Sequence, residues 1–152
     1  MKINLINLKS LFKNICIGSD HAGYDIKEFI KENLIKKNIS IIDLGPFKKD
    51  SVDYPDFAKK VANRVRLKKS DVGILVCGSG TGMAISANKI KDIRAAVCYN
   101  QISTRLCRQH NNANIIALGS RLTKKKNMIK IVSTFLNTKF EAGRHLRRVK
   151  KI

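Results

Sequence analysis

The chain has 152 residues, 43% of them hydrophobic and 28% charged, and its 31 Lys and Arg against 11 Asp and Glu give a formal net charge of +20. That length suits one domain with an ordinary core. The composition is that of a soluble globular protein, and no run approaches the roughly 18 apolar residues of a membrane span. The charge gathers toward the end: residues 121–152 hold eleven Lys and Arg and a single acid, Glu141. Such a surface either attracts polyanions or is simply a solvated Lys-rich face. No zinc finger, arginine block or aromatic platform adds a specific nucleic-acid signature, and Trp is absent.

Residues 1–13 mix apolar side chains with Lys2, Lys9 and Lys13. They lack the continuous apolar core and small-residue cleavage site of a secretory signal, and they are poor in the Arg and Ser of a transit peptide. They read as an N-terminal extension to one domain spanning 14–152. The apolar run at 14–20 ending in Gly and Asp predicts a buried strand. Residues 24–37 place Ile26, Phe29, Ile30 and Leu34 at helical spacing. A strand follows at 39–45, stopped by Gly45-Pro46. Residues 54–67 predict a helix, 71–78 a strand and 83–90 a helix. Then come a strand at 93–99, a helix at 101–112, a strand at 114–120, a helix at 128–137 and a short helix within 143–152.

Five apolar strands each followed by a helix predict an α/β fold, a five-stranded parallel sheet covered on both faces. Ligands of such sheets bind beyond the carboxyl ends of the strands, where strand order reverses. The polar residues expected on that rim are 19–21, 77–82, 99–101 and 119–121. Four cysteines stand at 16, 77, 98 and 107, with no C-x-x-C pair and no metal-ligand spacing. Free thiols of this kind suit a reducing compartment, so the cytoplasm is the expected location.

Cys77-Gly78-Ser79-Gly80-Thr81-Gly82 is the stretch with most chemistry. A glycine-rich turn opening a helix bares N–H groups and the positive end of the helix dipole, which suits an anion or a charge forming during a reaction. It is neither a Walker loop nor the dinucleotide fingerprint, since Met83 stands where a glycine would be needed. A thiol at that strand end is placed to act as nucleophile or general base. The plainer readings are a tight strand-to-helix turn and an inert core cysteine. His21 after Asp20, and His110 before Asn111, fall on predicted element ends and are structural or catalytic; with His145 they are too scattered in sequence for a metal site. Arg144 and Arg148 share a helical face and Arg121 follows a strand end, which suits a phosphate or a solvated basic tail. Together these groups fit aldose–ketose isomerisation of a small sugar phosphate, without a cofactor or metal.

The segments GSDHAGYDIK, DLG, DYPDFA, CGSGTGMAISANK, IRAA, HNNANIIALGSR and GRHLRRV, in that order over about 15–149, resemble the ribose-5-phosphate isomerase B family. That family also includes galactose-6-phosphate isomerase subunits. The resemblance implies a Rossmann-like three-layer sandwich and a homodimer, sometimes paired into a tetramer, with active sites at the subunit interface. It implies metal-free interconversion of ribose 5-phosphate and ribulose 5-phosphate in the non-oxidative pentose phosphate pathway. Cys77 then matches the base that moves a proton between C2 and C1. Gly78, Gly80, Thr81 and Gly82 match the anion hole, with Ser79 at the hydroxyl position. His110 and Asp20 match the groups that open the furanose ring. Tyr54 and Asn111 match substrate contacts, and His21, Arg121, Arg144 and Arg148 match the phosphate site. A six-carbon sugar phosphate isomerase and a non-catalytic polyanion binder are the competing readings.

Overall fold

The computed structural model describes residues 10–152. Eleven elements alternate along them: β1 (Ile15–Ser19), α1 (Tyr24–Ile35), β2 (Ile41–Asp43), α2 (Tyr54–Arg66), β3 (Val72–Cys77), α3 (Thr81–Asn88), β4 (Ala95–Val97), α4 (Gln101–Asn111), β5 (Ile115–Gly119), α5 (Lys125–Asn137) and α6 (Gly143–Val149). The five strands form one parallel sheet in the order β2-β1-β3-β5-β4. The α/β sandwich expected from the sequence is therefore present.

Alternation within the strands sorts the core. Ile74 and Val76 of β3 point to one face, where Ile26, Ile30 and Leu34 of α1, Cys107 of α4 and Phe135 of α5 pack. Leu75 and Cys77 point to the other, against Ala58, Val61, Ala62 and Val65 of α2 and Met83, Ala84 and Ala87 of α3. Central strands β1, β3 and β5 are buried along their whole length, whereas the edge strands β2 and β4 pair over only three residues each. The longer apolar runs expected at 39–45 and 93–99 therefore overstate these two strands, because an edge strand has only one neighbour to pair with.

Strand order reverses between β1, which leads out to β2, and β3, which starts the other half of the sheet. That switch point lies between the carboxyl ends at Ser19 and Cys77. Residues 10–13 rest on the domain: the Leu11 N–H donates to Leu136 O at 2.9 Å, and Phe12 packs on the larger core cluster.

Under the sheet edge, Lys27 of α1 has no exposed side-chain surface and donates to Asp43 at 2.6 Å and Glu28 at 2.8 Å. Lys31 joins both acids. Burial works against the charge on Asp43, but the hydrogen bonds from Lys27 and Lys31 outweigh it and hold the carboxyl below its usual range. A depressed folded value means the stabilisation is present above about pH 4 and is lost as pH falls further. Asp43→Asn should cost about 3 kcal/mol at pH 7, since it strips a buried ammonium of a partner. It should also flatten the acid limb of stability. Urea unfolding of both proteins at pH 7 and pH 3 checks this, and equal stability at pH 7 would contradict it.

Candidate active site

β3 delivers Cys77 to the carboxyl edge with 5% of its surface exposed. Gly78, Ser79 and Gly80 then turn the chain into α3, and Gly80 adopts φ +83, a conformation that favours glycine. The turn folds back so that the Gly80 N–H donates to Cys77 Sγ at 3.1 Å. An N–H aimed at sulfur stabilises negative charge there. The β5–α5 loop closes over the same turn: Ser120 N–H donates to Cys77 O at 2.8 Å and Arg121 N–H to Gly78 O at 3.0 Å. A Cβ on Gly119 would stand 2.7 Å from Ser79 O, and one on Gly78 would stand 3.1 Å from Arg121 Nη1. The Arg121 guanidinium thus lies directly over the start of the glycine turn.

α3 begins at Thr81, two residues earlier than the expected 83. Gly82 is consequently inside its first turn, and its lack of a side chain serves a different purpose. A Cβ there would fall 2.8 Å from the Cζ of Tyr54, so the exposed phenol lies across the opening of α3. Ser79 Oγ accepts from the Thr81 N–H at 3.3 Å.

β1 brings Asp20 and His21 to the same edge. Asp20 is buried, donates its N–H to Val76 O at 3.1 Å and accepts the Gly23 N–H at Oδ1 at 2.8 Å. His21 Nδ1 accepts from the Val52 N–H at 3.3 Å. Ser120 Oγ donates to Ala22 O at 2.9 Å and ties this loop to β5. Asp20, His21, Cys77–Gly82 and Arg121 therefore share one rim, as the sequence predicts, and Tyr54 joins them there.

The remaining expected residues do not join it. α4 starts at the carboxyl edge, where the Asn100 side chain accepts from Ser103 N–H at 2.8 Å, and runs 11 residues toward the opposite edge. At 1.5 Å per residue, His110 and Asn111 end on the order of 15 Å from that edge. α6 packs on this far end: Glu141 N–H donates to Gln109 O at 3.1 Å, and the His110 and His145 rings stack with centroids 4.3 Å apart at 11°. Arg144 and Arg148 flank His145 on α6. A place near the rim for His110, Arg144 and Arg148 does not hold within one chain; a site at the subunit interface, which the resemblance implies, does not require it. α4 carries His110 and Asn111 away from the rim, and α6 brings Arg144 and Arg148 beside them there.

His145 is the member of this second cluster that the sequence reading left in the basic tail. It is buried, and burial, then His110, Arg144 and Arg148, hold its imidazole below the usual range against the opposing pull of Glu141. Ligand atoms of His110, Glu141 and His145 lie within 4.8 Å of one another, so two histidines scattered in sequence do meet. The two adjacent arginines make the neighbourhood cationic, which suits an anion better than a metal ion. The other thiols belong to the core. Burial pushes Cys16 up to about 11, and the Cys98 and Cys107 sulfurs sit 3.7 Å apart in the larger cluster.

Residues 15–152 match the family model described as Ribose/Galactose Isomerase. Ribose-5-phosphate isomerase B of Escherichia coli is 41% identical over 140 residues, covering 92% of this chain and 94% of that protein. The solved structure of Clostridium thermocellum ribose-5-phosphate isomerase B is 48% identical and superposes with a TM-score of 0.89, over 90% of this chain and 93% of that one. The Mycoplasma genitalium ribose-5-phosphate isomerase B structure, which holds ribulose 5-phosphate, is 46% identical with a TM-score of 0.87, over 91% and 92% of the two chains. With the glycine turn and its thiol in place on the matching fold, the chain belongs to the ribose/galactose isomerase family.

Proposed function

We propose that this chain interconverts ribose 5-phosphate and ribulose 5-phosphate through an enediolate, with Cys77 as the general base. The observation that carries this reading is the Gly80 N–H directed at Cys77 Sγ at the end of the central strand, beneath Arg121. The Cys77 thiolate takes the C2 proton of the open-chain aldose. Charge moves onto the carbonyl oxygen at C1, a proton passes from the C2 hydroxyl to that oxygen, and the thiol returns its own proton to C1 as the C2 carbonyl forms. N–H groups of the turn from Gly78 to Gly82 and the Ser79 hydroxyl are placed to meet that oxygen, and one such donor is worth about 3 kcal/mol of barrier. Asp20 and His110 are assigned to opening the furanose ring, and Tyr54 and Asn111 to the sugar hydroxyls. His21 and Arg121 take the phosphate together with Arg144 and Arg148.

Those assignments need two chains. Within one chain the Cys77 rim and the His110 cluster face opposite ends, so a homodimer in which each copy supplies its far cluster to the other's rim is the smallest complete unit. An exposed apolar surface for such a partner exists on the carboxyl-edge side: Ile85 on α3, Tyr99, and Ile102 and Leu106 one turn apart on α4. The reading places 14–152 as one isomerase domain, 1–13 as an extension, and the reaction in the cytoplasm within the non-oxidative pentose phosphate pathway. The four free thiols support that compartment.

Ribulose 5-phosphate formation from ribose 5-phosphate tests the activity. Within that assay, Arg144→Ala should raise KM about tenfold or more with a smaller change in kcat, because a charge-assisted contact to the phosphate acts on bound substrate and transition state alike. An unchanged KM would separate α6 from the phosphate.

A further inference from the structure

At the amino edge of the sheet, away from the glycine turn, lies a cavity of about 880 Å³. Lys13, Arg66, Lys68, Arg94 and Arg108 line it, against two acids, Asp71 and Asp92. Asp71 Oδ2 is taken by the N–H groups of Lys13 and Asn14, at 3.0 and 2.9 Å.

The two arginines are held in place by neutral groups. Arg108, 5% exposed, lies over the rings of Phe12 and Phe135, 5.1 and 5.6 Å from their centroids. Its Nε donates to Thr138 O at 3.2 Å, and Nη1 donates to Asn112 Oδ1 at 3.0 Å and Ala113 O at 2.6 Å. Arg94 Nε donates to the Asn112 carbonyl at 3.0 Å, so both guanidiniums converge on Asn112. Neither makes an ion pair among the described residues, and the Nη2 of each has no hydrogen-bond partner there. Burial disfavours the charge on both; Asp92 partly offsets this for Arg94, and Arg94 adds to the effect on Arg108.

A guanidinium as buried as that of Arg108, with no acid paired to it and the half-buried Arg94 beside it, is costly. The unpartnered Nη2 of each guanidinium is left as a charged donor, and two such donors from adjacent arginines can meet one oxyanion. Five cations against two acids favour a dianion, and the volume falls within the range of small-molecule sites. We propose that this cavity binds a phosphate-bearing small molecule through Arg94 and Arg108, as a second anion site separate from the glycine turn. The inference does not depend on the isomerase reading.

Pyrophosphate is a suitable probe, titrated calorimetrically into the full-length wild type, Arg94→Gln and Arg144→Ala. Two classes of binding are expected in the wild type. Arg94→Gln should weaken one at least tenfold and leave KM for ribose 5-phosphate unchanged, whereas Arg144→Ala should weaken only the other. The class assigned to the cavity should persist under saturating ribose 5-phosphate. An isotherm unaltered by Arg94→Gln, or loss of all binding in Arg144→Ala, would overturn the proposal. Should Arg94→Gln prove unfolded by circular dichroism, Arg66→Gln at the exposed end of α2 decides: about threefold weaker binding of the cavity class supports the site, and no change refutes it.

Discussion

Replacing Cys77 by alanine should lower kcat on ribose 5-phosphate by about 10³-fold or more while leaving KM within a factor of a few. A positioned base contributes about 10²–10⁴ in rate, and nothing else at the turn can take its proton. The thiol does not hold the phosphate, so binding should survive. The fold should survive too, because the change removes one sulfur atom from a position whose neighbours on the α2–α3 side are small apolar residues, a loss of about 1 kcal/mol. Cys77→Ser should be nearly as inactive, since a hydroxyl ionises far less readily than a thiol at neutral pH. The competing view is that Cys77 is a core cysteine like Cys16, Cys98 and Cys107. That view predicts near-normal turnover for both variants, and a steady-state assay of each separates the two accounts.

Mixing two inactive variants should restore activity. In a dimer whose sites combine the Cys77 rim of one copy with the His110 cluster of the other, a Cys77→Ala chain paired with a His110→Asn chain has one site carrying both lesions and one carrying neither. Random exchange of equal amounts makes about half the dimers mixed, so about a quarter of wild-type activity should return from two nearly silent preparations. If rim and cluster instead worked within one chain, every site would hold one lesion and no activity would return. The assay is a rate measurement after co-refolding, with sedimentation to establish that the mixed species is a dimer. The size of the recovery matters as much as its presence, because it counts the intact sites.

The sheet was legible because its strands carry their own signal. Runs such as Val72–Cys77 are apolar throughout and end at glycine, and helices such as α2 place Ala58, Val61, Ala62 and Val65 on one stripe. The edges were less so: β2 and β4 read as longer strands, because an apolar run does not reveal how many neighbours it will have. The glycine turn was legible as a strand-to-helix turn on the rim from Gly78, Gly80 and Gly82, although Gly82 makes room for Tyr54 instead of bending the chain. What periodicity could not give was direction. His110 and Asn111 close a helix that starts on the rim, and α4 carries them the length of the domain away from it. His145 was hidden in a basic segment, and only the meeting of α4 and α6 puts it on His110. Arg108 looks in sequence like a surface residue in the last turn of a polar helix, and its burial between two phenyl rings is a purely tertiary fact.

Electrostatics also takes its meaning from placement. Half of the formal charge of +20 falls in residues 121–152, and the cationic side chains differ in kind by where they sit. Lys27 and Lys31 are compensated by Asp43 and Glu28. Arg121 on the glycine-turn rim, and Arg144 and Arg148 at the far end of the domain, stand exposed. Arg94 and Arg108 are half-buried and buried without an acid bound to them. A polyanion-binding surface would draw on all of these through long-range attraction that fades with salt. Binding through the two specific arginine groupings instead depends on fixed geometry and should outlast moderate ionic strength.

The most direct test of the central claim is the conversion of ribose 5-phosphate by the purified wild-type chain, run beside a six-carbon aldose 6-phosphate. Ribulose 5-phosphate should appear with a kcat/KM at least tenfold above that for the six-carbon sugar. Absence of ribulose 5-phosphate, with either turnover of the longer sugar alone or no turnover at all, would contradict the assignment of this site to a pentose phosphate isomerase.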